Sequence, residues 1–160
     1  LFRSARNILE LGTSLGITTA YLASHNSKCR VTTLEGSQEI ANIAMDNWNK
    51  LNLQQQITPF TGNIDNTLAL ILKKQPRFDI IYFDANRSYE ATIRYFKLCL
   101  PHKTQNSIFI FDDIYHSPQM YSAWQEIKQN NEVTATIDLY HLGLVFFNKH
   151  LIKHHYKMRF

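Results

Sequence analysis

Cysteine is scarce in this 160-residue chain: Cys29 and Cys99 are its only two. Two thiols cannot build the disulfide framework of a small secreted protein, so a reduced, cytoplasmic setting is the expectation. Long hydrophobic runs are missing as well. Strictly apolar stretches such as residues 68–72 and 108–111 fall far short of the ~20 residues a membrane helix needs, which argues against a membrane partner. Four prolines and five glycines are too few and too scattered for a linker, and no repeat is visible. One domain over residues 1–160 is therefore expected. The chain opens at Leu1 without Met, directly on a strand-like run, so an N-terminal segment is expected to be missing. Charged residues make up only 19%, which excludes a long charged disordered tail, while 44% apolar residues suffice for a core.

The net charge of +4 is unevenly spread. No acid follows Asp138, whereas Lys149, Lys153, Lys157 and Arg159 crowd the end with His150, His154 and His155. Such a tail suits either a nucleic-acid contact or a solvated basic strand end, and the second is favoured. Leu151, Ile152, Tyr156, Met158 and Phe160 interleave with those charges, so part of the tail is expected to pack.

Short apolar runs alternate with helical patterns. Residues 7–11, 30–34, 57–61, 78–83 and 107–111 read as strands. Between them, residues 15–25 read as a helix, Ile40, Ile43, Ala44 and Leu51 recur at helical spacing, and so do Ile64, Leu68 and Ile71, and then Tyr89, Ile93, Phe96 and Leu100. Ser117-Pro118 reads as an N-cap serine with proline at the first helical position, ahead of Met120, Trp124 and Ile127. Two closing strands, the alternating run from Val133 and the apolar run over 142–147, are close enough for an antiparallel pair. Five β-α steps imply a doubly wound, mostly parallel sheet.

Ligands of such sheets bind outside the carboxyl ends of the strands. Glu10, Glu35, Asp65, Asp84, Asp112 and Asp113 fall at or just after those ends. Helix capping accounts for Asp65 and Asp113 but not for Glu10 or Glu35, which lie before their helices start. The first turn reads Glu10-Leu-Gly12-Thr13-Ser14-Leu-Gly16. Gly12 can take a backbone shape closed to other residues, and Gly16 lets the helix press on the sheet. Glu35 stands 19 positions after Gly16 (35 − 16), where a carboxylate can accept from both ribose hydroxyls. Gly-x-x-x-Gly differs from the Gly-x-Gly-x-x-Gly that wraps a pyrophosphate, so a nucleoside fits better than a dinucleotide. His116 is a candidate base on the same rim, and Tyr115, Tyr121 and Trp124 are candidates for an acceptor pocket or for core.

From residue 7 to about 148, Glu-x-Gly-x-x-x-Gly, the acid ending the second strand and the terminal antiparallel pair resemble a class I S-adenosylmethionine-dependent methyltransferase. The resemblance implies a Rossmann-like seven-stranded sheet of order 3-2-1-4-5-7-6 with strand 7 antiparallel. It implies that Glu10, Gly12, Thr13, Ser14, Gly16 and Thr18 hold the methionine end of the cofactor and that Glu35 binds the ribose. Gly36, Ser37, Asn63, Ile64 and Asp65 would then edge the adenine. Downstream, Asp84-Ala85-Asn86-Arg87-Ser88-Tyr89 resembles the Asp-Ala-x-Lys-x-x-Tyr segment of the cation-dependent O-methyltransferases of the catechol and caffeoyl-CoA type. Asp112-Asp113 resembles their Asp-Asn pair. Two departures stand out: Arg87 replaces the lysine, and Tyr89 comes one residue early.

The expectation is methyl transfer from S-adenosylmethionine to oxygen of a small acceptor, with Asp84, Asp112 and Asp113 as the catalytic cluster and Ala85 with Asp84 against the cofactor. Three carboxylates so close would repel unless a cation such as magnesium or calcium intervened, which would leave Arg87 as a charge partner for the acceptor. The alternative is a non-catalytic nucleoside-binding module that docks RNA or protein through the basic tail. Self-association as a homodimer stays open.

Overall fold

A computed structural model of the chain describes residues 4–74 and 77–159. The elements run β1 (Asn7–Leu11), α1 (Ile17–Ser24), β2 (Arg30–Glu35), α2 (Gln38–Lys50), β3 (Ile57–Thr61), α3 (Ile64–Lys74) and β4 (Phe78–Phe83). They continue with α4 (Tyr89–Cys99), β5 (Lys103–Asp112), α5 (Pro118–Gln129), β6 (Ala135–Asp138), β7 (Leu142–Phe146) and β8 (His154–Lys157). Strand order is β3-β2-β1-β4-β5-β7-β6-β8, the expected Rossmann-like order with one strand added. The chain divides into two compact units, Leu1–Asp79 and Ile80–Phe160.

In the first unit, β1 pairs in parallel with β2, from Asn7 opposite Arg30 to Leu11 opposite Leu34, and β2 pairs in parallel with β3. Ile8, Leu9, Leu11, Val31 and Leu34 are wholly buried, each worth about 1.5–3 kcal/mol of apolar transfer. The helices correct the expected faces. On α2 the buried residues are Ala41, Ala44 and Trp48, while Ile43 is 48% exposed and Ile40 and Leu51 also face solvent. Trp48 decides the rotation, because its indole N–H donates to the Gly16 carbonyl at 2.8 Å. Helix α1 begins at Ile17 rather than at residue 15, since Gly16 sits in the left-handed region at φ 75° and cannot continue a right-handed turn backwards.

In the second unit, β7 runs antiparallel to both β5 and β6, from Ile108 opposite Phe146 and from Ala135 opposite Phe146. Its core is aromatic. Phe83 stacks on Phe111 at 4.3 Å, Phe109 meets Phe83, Phe96 and Phe147, and Phe111 meets Trp124. Each such pair adds about 0.5–1.5 kcal/mol beyond the area it buries. The Ser117 hydroxyl accepts from the Met120 amide with Pro118 in the first turn, as the sequence predicts. The tail is the solvated basic strand end that the sequence favours, but its apolar residues do not pack as expected. Residues 154–157 pair in parallel with β6 from Ala135 opposite His154, yet Leu151, Ile152, Tyr156 and Met158 all stay exposed, Ile152 at 89%. Main-chain bonds dock this edge strand, and its apolar side chains find no core to enter; Phe160 lies outside the described residues.

Candidate active site

The glycine turn is built by backbone geometry. Gly12 (φ 94°), Ser14 (φ 50°) and Gly16 (φ 75°) all occupy the left-handed region, which folds the chain back on itself within five residues. The Gly12 and Thr13 amides both donate to the Leu34 carbonyl, at 2.9 and 3.2 Å, tying the turn to the end of β2. Gly16 is required for a reason other than contact with the sheet. A Cβ there would stand 2.4 Å from the Trp48 indole nitrogen, so Gly16 admits α2 rather than pressing α1 on the strands.

Beneath the turn lies a chain of buried hydroxyls. Thr19 and Thr33 both donate to Oε2 of Glu10, at 2.5 and 2.6 Å. Thr33 has spent its only proton there, so Thr13, 2.6 Å from Thr33, is the donor in that contact. Protons therefore run Thr13 to Thr33 to Glu10. Glu10 has no exposed surface and Thr13 almost none, so both position the turn from within the unit. Gly12, Ser14 and Thr18 are the members of this set with surface to offer.

Glu35, at the carboxyl end of β2, is held from two sides. Its Oε2 accepts from the Ser14 amide at 2.9 Å and its Oε1 from the Ser37 amide at 3.0 Å. Each oxygen keeps a further lone pair, so two more donors can be accepted side by side. Next to it, Gly36 has nothing within 4 Å of its Cβ position, which leaves open space for a flat group. Ser37 caps α2 by accepting from the Ile40 amide. After β3, Gly62 (φ 128°) donates to the Glu35 carbonyl. Asn63, not Asp65, caps α3: its Oδ1 accepts from the Asp65 amide at 2.9 Å, and Asp65 sits in the first turn, where its charge suits the helix dipole. Ile64 is half-buried beside it.

The second unit carries the acidic cluster. Asp84 follows β4, Ala85 comes next and is half-buried, Asp112 ends β5, and Asp113 adopts φ 51°. Arg87 stands among the three carboxylates. Its Nη2 lies 2.7 Å from Asp84 and 3.4 Å from Asp112, and its Nε lies 3.1 Å from Asp113. Burial and then the Asp112 charge push the Asp84 carboxyl up to about 6, while Arg87 pulls the other way. Burial opposes the charge on Arg87, but the three carboxylates outweigh it and raise its pKa. The Tyr82 hydroxyl donates to the far oxygen of Asp112 at 3.2 Å. A divalent cation does not fit this donor set, because a guanidinium already takes an oxygen from each carboxylate. Among the described residues no group of three His, Cys, Asp or Glu could hold a metal. Arg87 pairs with the chain's own acids through Nη2 and Nε.

A cavity of about 200 Å³ opens beside Asp113, lined by Tyr115, His116, Tyr140 and His141. Tyr115 stacks on Tyr140 with centroids 5.3 Å apart and planes 16° from parallel, and Tyr121 leans on Tyr115 at 5.3 Å. The Tyr115 hydroxyl donates to Asp138 at 2.7 Å and accepts from Lys157 of β8 at 3.0 Å. Trp124 belongs to the core. Sequence reasoning missed Tyr140 and His141; the only signal was their place in the short turn between β6 and β7. Cys29 and Cys99 are buried free thiols whose pKa burial raises, to about 11 for Cys29, which disfavours the thiolate at both.

The strand order β3-β2-β1-β4-β5-β7-β6 with β7 antiparallel, and the glycine turn after β1, define a methyltransferase-like architecture. Residues 9–114 match the family model described as "Methyltransferase domain", and the chain belongs to that family. It is similar to a catechol O-methyltransferase of Niastella koreensis, at 31% identity over 112 residues, or 69% of this chain and 50% of the relative. The chain thus spans about half the length of that curated relative. Among solved structures it resembles an O-methyltransferase from Bacillus cereus in complex with SAH, with a TM-score of 0.75 at 26% identity over 90% of this chain and 75% of that one. It also shares the fold of TomG, an O-methyltransferase from Streptomyces achromogenes in complex with SAM (TM-score 0.73, 19% identity, 91% and 74% covered). Among the described residues no helix is long and apolar enough to cross a membrane.

Proposed function

We propose that this chain is an S-adenosylmethionine-dependent methyltransferase domain acting on oxygen of a small acceptor. The observation that carries the reading is Glu35, whose two oxygens are aimed by the Ser14 and Ser37 amides and each keep a lone pair for a further donor. The residues present fit the cofactor. Glu35 would accept from both ribose hydroxyls; Gly36, Ser37, Asn63, Ile64 and Asp65 would border the base; Gly12, Ser14 and Thr18 would take the methionine end, with Glu10, Thr13 and Gly16 holding the turn in shape. When bound, S-adenosylmethionine supplies a methyl group on a positively charged sulfonium.

What remains for the chain's own residues is to orient the acceptor and take its proton. Asp84 suits the role of base, because its carboxyl titrates at about 6 and so is ionised at neutral pH yet more basic than an ordinary carboxylate. Arg87 holds it in one orientation, and Asp112 and Asp113 hold Arg87. The tyrosine-lined cavity next to Asp113 favours a planar acceptor of one ring. Incubation with labelled S-adenosylmethionine and a panel of small phenols and catechols tests the reading. Label on an acceptor oxygen, lost in Glu35→Ala, is the expected outcome. A folded chain that transfers to none of them, yet binds RNA tightly at physiological salt, would favour the binding-module alternative.

A further inference from the structure

The acidic cluster has the composition of a hard-cation site and the wiring of something else. Asp84, Asp112 and Asp113 come from two strand ends, and both loops that aim the cluster turn at a residue of positive φ. Asn86 (φ 47°) turns the backbone just before Arg87, with the Ser88 amide closing on the Asn86 carbonyl at 2.6 Å, and Asp113 (φ 51°) turns it just after β5. Asparagine and aspartate take this conformation more readily than other side chains, and the surroundings hold both turns. Here the surroundings include an ion pair from each carboxylate to one guanidinium, at 2.7, 3.4 and 3.1 Å. The Arg87 side chain is 40% exposed, and the three acids are 21%, 20% and 32% exposed, so the pairs are reached by water but not open on all sides.

We propose that Arg87 is the resident cation of this cluster and neutralises the three carboxylates itself, so that the domain works without a metal at this place. Charge and space both lead there. Arginine has five donors, no acceptor and a charge that is not lost at any accessible pH, so it neutralises permanently. A magnesium or calcium ion needs six or more oxygens at about 2.0–2.6 Å, and it would have to displace a guanidinium already bonded to all three acids. A lysine at this position would be a single mobile point charge able to swing away. The planar fork of Arg87 instead reaches Asp84 and Asp112 through Nη2 and Asp113 through Nε at once. Arg87 is then a positioning residue: it orients Asp84 and does not touch the acceptor. Ion binding at this place does not depend on whether the methyltransferase reading holds.

Manganese titration followed by electron paramagnetic resonance tests the proposal on the whole chain, with wild type, Asp112→Asn, Arg87→Ala and the double variant Arg87→Ala/Asp112→Asn. Wild type should show no saturable site below millimolar manganese that Asp112→Asn removes. Arg87→Ala should gain affinity by at least tenfold, and the second substitution should abolish the gain. If the alanine variant does not fold, Arg87→Met keeps the aliphatic stem and serves in its place. A wild-type chain that binds manganese below millimolar concentration through Asp112 would overturn the proposal. So would a folded Arg87 variant that gains no affinity, because the carboxylates would then not converge on one cation position. Calorimetry of S-adenosylmethionine on the same proteins reports separately on the functional reading.

Discussion

The two units build their candidate sites by different means. In the first, the candidate site is made of main chain and neutral hydroxyls: three left-handed residues, two amides on the Leu34 carbonyl, and threonines handing protons to one oxygen of Glu10. Its anchoring carboxylate, Glu35, is aimed by amides on both sides. In the second, the site is made of charge, with three carboxylates about one guanidinium above an aromatic core. The first kind of site is held by main-chain hydrogen bonds to Leu34 and Glu35. The second is adjustable through pH, through salt and through one side chain.

The largest effect expected from breaking this contrast is in the first unit. Gly16→Ala would bring a Cβ to 2.4 Å from the Trp48 indole at a φ of 75°, a clash and a backbone strain together. Overpacking of this sort costs about 1–3 kcal/mol, and the left-handed conformation about 1–2 more. Urea denaturation should show a loss of about 3 kcal/mol. Next comes Thr33→Val, which leaves Thr13 without its acceptor and Oε2 of Glu10 with one donor fewer; about 1–3 kcal/mol should be lost in the same measurement.

A smaller effect probes the second unit through pH. Asp84 titrates at about 6 in the folded chain against its ordinary 3.8. Between those values the folded chain keeps a proton that the unfolded chain has released. The contribution of Asp84 to stability therefore falls as pH rises from about 4 to about 6 and is flat above. The difference in denaturation free energy between wild type and Asp84→Asn should follow that fall. An equal difference at pH 4 and pH 7 would mean that Asp84 is not pushed up.

Much of the first unit could be read in the sequence because its constraints leave residues behind. A turn that needs positive φ leaves Gly12 and Gly16, a carboxylate that ties two loops together leaves Glu35 at the end of a β-branched run, and Ser117-Pro118 announces a helix start in the second unit. What could not be read were choices made by tertiary contact. Nothing in the spacing of Ile40 and Ile43 says that Trp48 sets the face of α2 by bonding Gly16, or that the isoleucines turn outward. The convergence of Asp84, Asp112 and Asp113 was legible from their strand ends, but nothing in the spacing says that Arg87 turns in among them. The tail misled in the opposite direction: alternating apolar residues suggested burial, whereas β8 docks by main-chain pairing and leaves them in solvent.

If Glu35 is the ribose anchor of a nucleoside cradle in the first unit, isothermal calorimetry should see it at once. S-adenosylmethionine and S-adenosylhomocysteine should each bind the wild-type chain at one site. Glu35→Ala forfeits charge-assisted hydrogen bonds worth about 1.5–3 kcal/mol each, so it should weaken both by at least tenfold while the melting curve still shows a folded domain. Equal affinity in the folded variant, or no binding to wild type, would contradict that role for Glu35.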